Sequence, residues 1–186
     1  LPLAQVVRAA AADTHPPLYY LVLHFTIKIL TGNGLLHGHT GEFSARWPSV
    51  LAGVLSVAAL MALARRLTRR ASISPALRAS FALCAGAFLA LSAYERWYAQ
   101  ETRMYALLTL WGLLATYWLL RAGRLASQPP DNVDWSVVPA HPAAPAPHFT
   151  AARGRAAWTW AIYALLCIAG LYTHYYFVMV LLVHNL

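Results

Sequence analysis

The chain predicts an all-α fold, a polytopic helical bundle built for lipid. Three observations point there. Of 186 residues, 60% are hydrophobic and only 11% are charged. The mean hydropathy is +0.51, far from the soluble average. Several apolar runs also approach the roughly 17 to 25 helical residues that cross a bilayer core.

Taken in order, the first apolar run covers residues 17–31 and carries His24 and Lys28. Its apolar part is short and polar-marked, so it reads as an interfacial or re-entrant helix, with a spanning placement as the alternative. The pair Pro16-Pro17 halts any preceding helix and fixes the start of this one. Spans are expected over residues 47–64, 79–94, 104–120 and 156–172, and a further one over 175–186. That makes about four to five spans plus one interfacial helix in a single membrane domain covering 1–186. Residues 122–155, rich in Pro and Ala, form no core and read as an extended loop. The sequence starts at Leu1 and stops within an apolar stretch, so it reads as an internal piece of a longer chain.

Arginine placement orients this bundle. Arg65, Arg66, Arg69, Arg70 and Arg78 share one connection, and Arg121, Arg124, Arg153 and Arg155 lie two spans later. All nine fall on one side, which the positive-inside rule makes cytoplasmic. This orientation accounts for most of the +8 net charge, so nucleic acid is not an expected partner. Cys84 and Cys167 sit in apolar runs without disulfide or zinc-ligand spacing. His37 and His39 have metal-compatible spacing, but Glu42 is the only acid near them; they read as loop residues.

Four polar motifs interrupt the lipid-facing pattern. Asp13 and His15 stand just before the proline pair, either as chemistry at the membrane edge or as a helix cap and an interfacial ring. Arg46 precedes Trp47-Pro48-Ser49 at the start of a span; its planar fork suits a phosphate, although one arginine at a helix end also snorkels. The run 94–105 joins two spans with almost no room for a flexible loop. There Glu101 and Arg103 suit an anionic group, while Tyr98 and Tyr105 offer hydroxyls and a stacking face for a sugar ring. An aromatic belt with snorkelling arginines is the plainer reading. His174 lies between two apolar runs, where a lone histidine is commonly a packing residue. If the 17–31 helix is interfacial, all four motifs reach one face, opposite the arginine-rich turns.

In this order and spacing, Asp13-x-His-Pro-Pro-Leu-Tyr-Tyr20, Arg46-Trp-Pro-Ser49, Tyr98-Ala-Gln-Glu-Thr-Arg-Met-Tyr105 and Tyr172-Thr-His-Tyr175 resemble the N-terminal membrane half of GT-C glycosyltransferases. The nearest branch resembles family 39 protein O-mannosyltransferases and the aminoarabinose and galacturonic acid transferases of the lipopolysaccharide core. The resemblance runs over essentially the whole chain. It implies an inverting hexosyl- or pentosyltransferase in the inner membrane of the cell, multi-pass, with its active face outward. Its donor would be a polyprenyl phosphate sugar and its acceptor a lipid, glycan or protein hydroxyl. Asp13, His15, Glu101 and Arg103 would form the catalytic group, with Arg46, Tyr98, Tyr105 and His174 binding substrate. The donor's tail would need an apolar groove, expected at the seam between the 17–31 helix and the spans starting at Trp47 and Met104. Some relatives use a divalent ion, for which Asp13, His15 and His174 are the candidate ligands, but no pattern here demands a metal. One departure stands out. Residues 1–12 lack the acidic pair that the family usually carries before the Asp-x-His-Pro-Pro run, so the piece is expected to lack its catalytic base and to be inactive alone. A transporter or a structural membrane subunit remains the alternative.

Overall fold

The computed structural model of the protein describes residues 3–12, 16–32, 41–126 and 147–186. All regular elements among them are helical: α1 (Leu3–Ala12), α2 (Leu18–Gly32), α3 (Gly41–Leu67), a 3-10 turn (Thr68–Arg70), α4 (Pro75–Leu91), α5 (Ala93–Gln100), α6 (Tyr105–Ala126), α7 (Pro147–Thr173) and α8 (Phe177–His184). Two helices, α3 and α6, are long and apolar enough to cross a bilayer, and α4 with α5 makes a third if that bent pair is one span. Leu18–Leu30 of α2 and Ala157–Thr173 of α7 are shorter apolar stretches of helix. Large apolar side chains such as Phe88, Leu91 and Val54 stand exposed on the helix surfaces, as expected of a surface that meets lipid.

The observed boundaries differ from the apolar runs. Helix α3 starts at Gly41, before the run at Trp47, so Arg46 and Pro48 lie inside a helix rather than at its mouth. Hydrogen bonding, not hydrophobicity, ends a helix, and α3 continues through Pro48 although that residue gives up one N–H and crowds the carbonyl one turn back. At its other end Arg65 and Arg66 occupy the last turn, where cations oppose the helix dipole. Helix α4 begins with Pro75 after Ser74, whose Oγ accepts the Leu77 N–H at 3.2 Å. The connection expected after this span is itself helical. Ser92 ends α4 with an extended ψ of 124° and accepts the Glu95 N–H at 3.5 Å, so one residue stops one helix and caps the next. The two axes differ by 57°. Helix α7 begins at Pro147, inside the stretch read from the sequence as an extended loop.

Helix α6 is the centre of the bundle, packed between α3 and α7. Small residues set the spacing: Ala52 and Ala59 of α3 and Ala106 of α6 are buried with Met104, Leu107, Leu110 and Tyr19 of α2. Small side chains let helix backbones approach, the usual contact mode where lipid supplies no hydrophobic drive. A second cluster joins Ala115, Cys167 and Phe177.

Helices α3 and α6 run parallel and in register. At one end the Ser49 hydroxyl donates to the Arg103 carbonyl at 3.2 Å, and at the other Arg66 Nη2 donates to the Leu120 carbonyl at 3.3 Å. Both bonds join residues 54 apart in the chain. Seventeen residues of helix separate the two ties, about 26 Å at 1.5 Å per residue, close to a bilayer core. Helix α2 touches both α3 and α7, the outer members of this row. Its Tyr19 hydroxyl faces Ser49 Oγ at 3.5 Å, which fixes the start of α2 at the Arg103 end.

Candidate functional site

The Arg103 end gathers most of the polar residues singled out in the sequence. Helix α5 ends at Glu101, whose extended backbone (φ −82°, ψ 145°) turns the chain toward α6. There Glu101 Oε1 accepts the Trp97 indole N–H at 3.0 Å, and its Oε2 faces Arg103 Nε at 3.5 Å. Both carboxylate oxygens are therefore engaged, and the arginine is aimed from one side. Ser49 holds the Arg103 backbone. Arg103 and Tyr105 line a pocket of about 340 Å³ with Tyr19, Tyr20, Thr102 and Met104.

Behind it a chain of rings links three elements. Tyr94 and Tyr98 of α5 lie 4.4 Å apart by ring centroid, Tyr98 and Tyr105 4.6 Å, and Tyr105 and His174 5.8 Å. Tyr98, Tyr105 and His174, assigned from the sequence to substrate binding, thus stand together. His174 is buried because the α7–α8 turn folds around it. Its Nδ1 accepts the Tyr176 N–H at 3.1 Å, its carbonyl accepts the Phe177 N–H at 3.0 Å, and its own N–H reaches the Gly170 carbonyl at 2.9 Å. Tyr176 stacks on the ring at 4.8 Å. These contacts fit the packing role that a lone histidine commonly has.

Arg46 stands apart from Arg103. It pairs with Glu42 one turn away on α3 and lines a separate pocket with Phe43, Trp47, Val50 and Gln100. Helix α3 continues past the boundary implied by its apolar run, so Arg46 is held inside the helix one turn from Glu42. Asp13 and His15, like His37 and His39, lie outside the described residues. Helix α2, which follows Asp13 and His15 through Pro16 and Pro17, opens at the Arg103 pocket.

An apolar groove of about 390 Å³ lies on the same elements. Val22, Thr26, Ile29 and Leu30 of α2 face Trp47, Leu51 and Leu55 of α3 and Leu107, Leu110 and Trp111 of α6 across it. This is the seam between the 17–31 helix and the helices carrying Trp47 and Met104.

Glu95 escaped the sequence reading. Its residue is 6% exposed, and Oε1 has no hydrogen-bond partner among the described residues. Helix α5 lies so close to α3 that a Cβ on Gly53 would stand 3.1 Å from the Ala99 Cβ and 3.7 Å from Glu95 Oε1. The only sequence signal was an acid in the first turn of a helix too short to be noticed. A buried unsatisfied carboxyl destabilises by about 1 to 3 kcal/mol. Glu95→Met, similar in volume and apolar, is therefore expected to raise stability by about that amount. The unfolding midpoint in detergent measures it, and an unchanged or lower midpoint would mean that the carboxyl has a partner.

Comparison of the chain with protein-family models, with curated proteins and with solved structures finds no match. Functional inference therefore rests on the residues themselves.

Proposed function

We propose that the protein belongs to a membrane glycosyltransferase of the GT-C type, similar to the family 39 branch, that moves a sugar from a polyprenyl phosphate carrier to a hydroxyl acceptor. One observation carries this reading: a pocket lined by a cation and tyrosines, formed by α2, residues 102–104 and the start of α6, shares α2 and α6 with an apolar groove that α3 completes. A phosphosugar head with an isoprenoid tail has this two-part chemistry. In the reaction the acceptor oxygen attacks the anomeric carbon as the bond from that carbon to the phosphate oxygen breaks. The electron pair leaves with the polyprenyl phosphate, and the acceptor's proton passes to a carboxylate. Arg103 stabilises the phosphate as its charge grows, which a preorganised cation does best in a water-poor site. Glu101, already engaged on both oxygens, orients Arg103. Tyr98 and Tyr105 present the sugar with ring faces and hydroxyls, and the family resemblance adds His15 and Asp13 to the catalytic group. Arg46, in its neighbouring pocket, serves the acceptor side or a second anionic group. In this reading the chain contributes four to five spans and one helix across their outer ends, with the arginine-rich end in the cytoplasm.

The test is sugar transfer by full-length protein in proteoliposomes supplied with a polyprenyl phosphate sugar. Leu55→Trp fills the groove and removes contact with about two methylene groups of the tail. At about 0.8 kcal/mol each, the KM for a long-chain donor should rise roughly tenfold, with that for a short-chain donor unchanged. Equal effects on both would detach the groove from the donor. The break between α4 and α5 beside the buried Glu95 is a feature that transporters share, so uptake of a solute without sugar transfer would favour that class instead.

A further inference from the structure

We propose that the arginine-rich end of the α3–α6 pair docks the phosphate headgroups of anionic phospholipids. This inference is independent of the sugar-transfer reading, because it concerns the opposite end of the bundle. In-register packing brings the end of α3, the Thr68–Arg70 turn and the last turns of α6 to one place. Three arginines there spend one arm each on backbone carbonyls. Arg66 Nη2 donates to Leu120 at 3.3 Å, Arg124 Nη2 to Arg66 at 2.9 Å, and Arg78 Nε to Thr68 at 3.3 Å. The bond to the Arg66 carbonyl satisfies an acceptor in the last turn of α3, and all three bonds fix the guanidinium groups in position. Arg66 Nε is buried without an acceptor among the described residues. Arg65, Arg69, Arg70 and Arg121 are exposed around them.

Nothing described in the protein neutralises this charge. The acids among the described residues are Glu42, Glu95 and Glu101, and all three belong to the Arg103 end. The depth is also marked. Arg121 lies over the Trp118 ring at 4.7 Å and Arg66 over Tyr117 at 5.2 Å, and aromatic rings of this kind settle at the headgroup level of a bilayer. The end therefore presents planar forks, suited to bidentate contact with phosphate oxygens, about one core thickness from the Ser49 tie. A lipid phosphate meets all three conditions: charge, donor geometry and depth.

The experiment uses full-length protein in detergent micelles. It is incubated with phosphatidylglycerol or phosphatidylcholine, and retained lipid is counted by native mass spectrometry. Wild type should retain phosphatidylglycerol over phosphatidylcholine. Each arginine near a membrane surface contributes about a fivefold preference, so combined Arg69→Gln, Arg70→Gln and Arg121→Gln should reduce the preference roughly a hundredfold. Lysine at the same three positions should keep most of it, and Arg96→Gln, at the other end, should leave it unchanged. Equal retention of the two lipids by wild type, or full preference in the triple glutamine variant, overturns the proposal. If that variant does not fold, a salt series on wild type decides. Raising salt from about 0.05 to about 0.5 M screens exposed charges and should release phosphatidylglycerol; retention without change overturns the proposal.

Discussion

Replacing Arg103 with alanine is expected to lower kcat/KM for a polyprenyl phosphate sugar by roughly two to three orders of magnitude, with the fold intact. The two parts of this expectation have separate structural grounds. The Arg103 side chain is 62% exposed and borders Glu101 on one side, so its removal opens no cavity and should change stability by about 0.5 kcal/mol or less. Its structural contribution comes from the backbone carbonyl that receives the Ser49 hydroxyl, and alanine keeps that carbonyl. What alanine lacks is a fixed positive fork at the mouth of the pocket, where a departing phosphate gathers charge. Lysine restores the charge without the fork, so Arg103→Lys should recover part of the loss. Arg46→Ala should have a distinct and smaller effect, because Arg46 lines another pocket and is already paired with Glu42. Steady-state kinetics with an unfolding midpoint for each variant measures both parts. Wild-type activity in Arg103→Ala would remove this arginine from the site.

Phe177→Ala should destabilise the protein by about 3 to 5 kcal/mol, the usual range for deleting a fully buried phenylalanine. The ring is 0% exposed and lies directly on Gly170, where a Cβ would come within 2.4 Å of it. Glycine is needed there for lack of space. This contact closes the α7–α8 turn and thereby sets His174, whose backbone bonds both Gly170 and Phe177. The converse change, Gly170→Ala, drives a methyl into the ring and should cost about 1 to 3 kcal/mol through overpacking. The double variant should lose less than the sum of the two, because the smaller side chain at 177 makes room for the added methyl. Unfolding by denaturant in micelles gives the three values. Strict additivity would show that the ring and Gly170 do not oppose one another.

These expectations concern features of unequal visibility in the sequence. Pro16-Pro17 announces the start of α2, because proline acts on the backbone locally. The place of the groove was expected from the family resemblance and not from a residue pattern. Other features leave little trace. No Gly or Pro marks the α4–α5 break, which rests on one serine serving two helices. Pro48, which would ordinarily argue for a helix boundary, lies within α3. Arg46 and Arg103 each suit an anionic group, yet they line different pockets. Glu95 had no assigned place in the sequence and is buried against Gly53.

The sequence by itself determined the helical character, the apolar composition of α3 and α6 and the clustering of arginines in a few turns. Each of these follows from the period, length and charge of short segments. Only the tertiary structure decided that α3 and α6 run parallel in register, that Tyr98, Tyr105 and His174 meet, and that Arg46 does not join Arg103. Such facts depend on which faces of distant helices pack together. In this bundle that choice is made by the positions of small side chains such as Ala52, Ala59 and Ala106, whose effect appears only when the partner helix is in place.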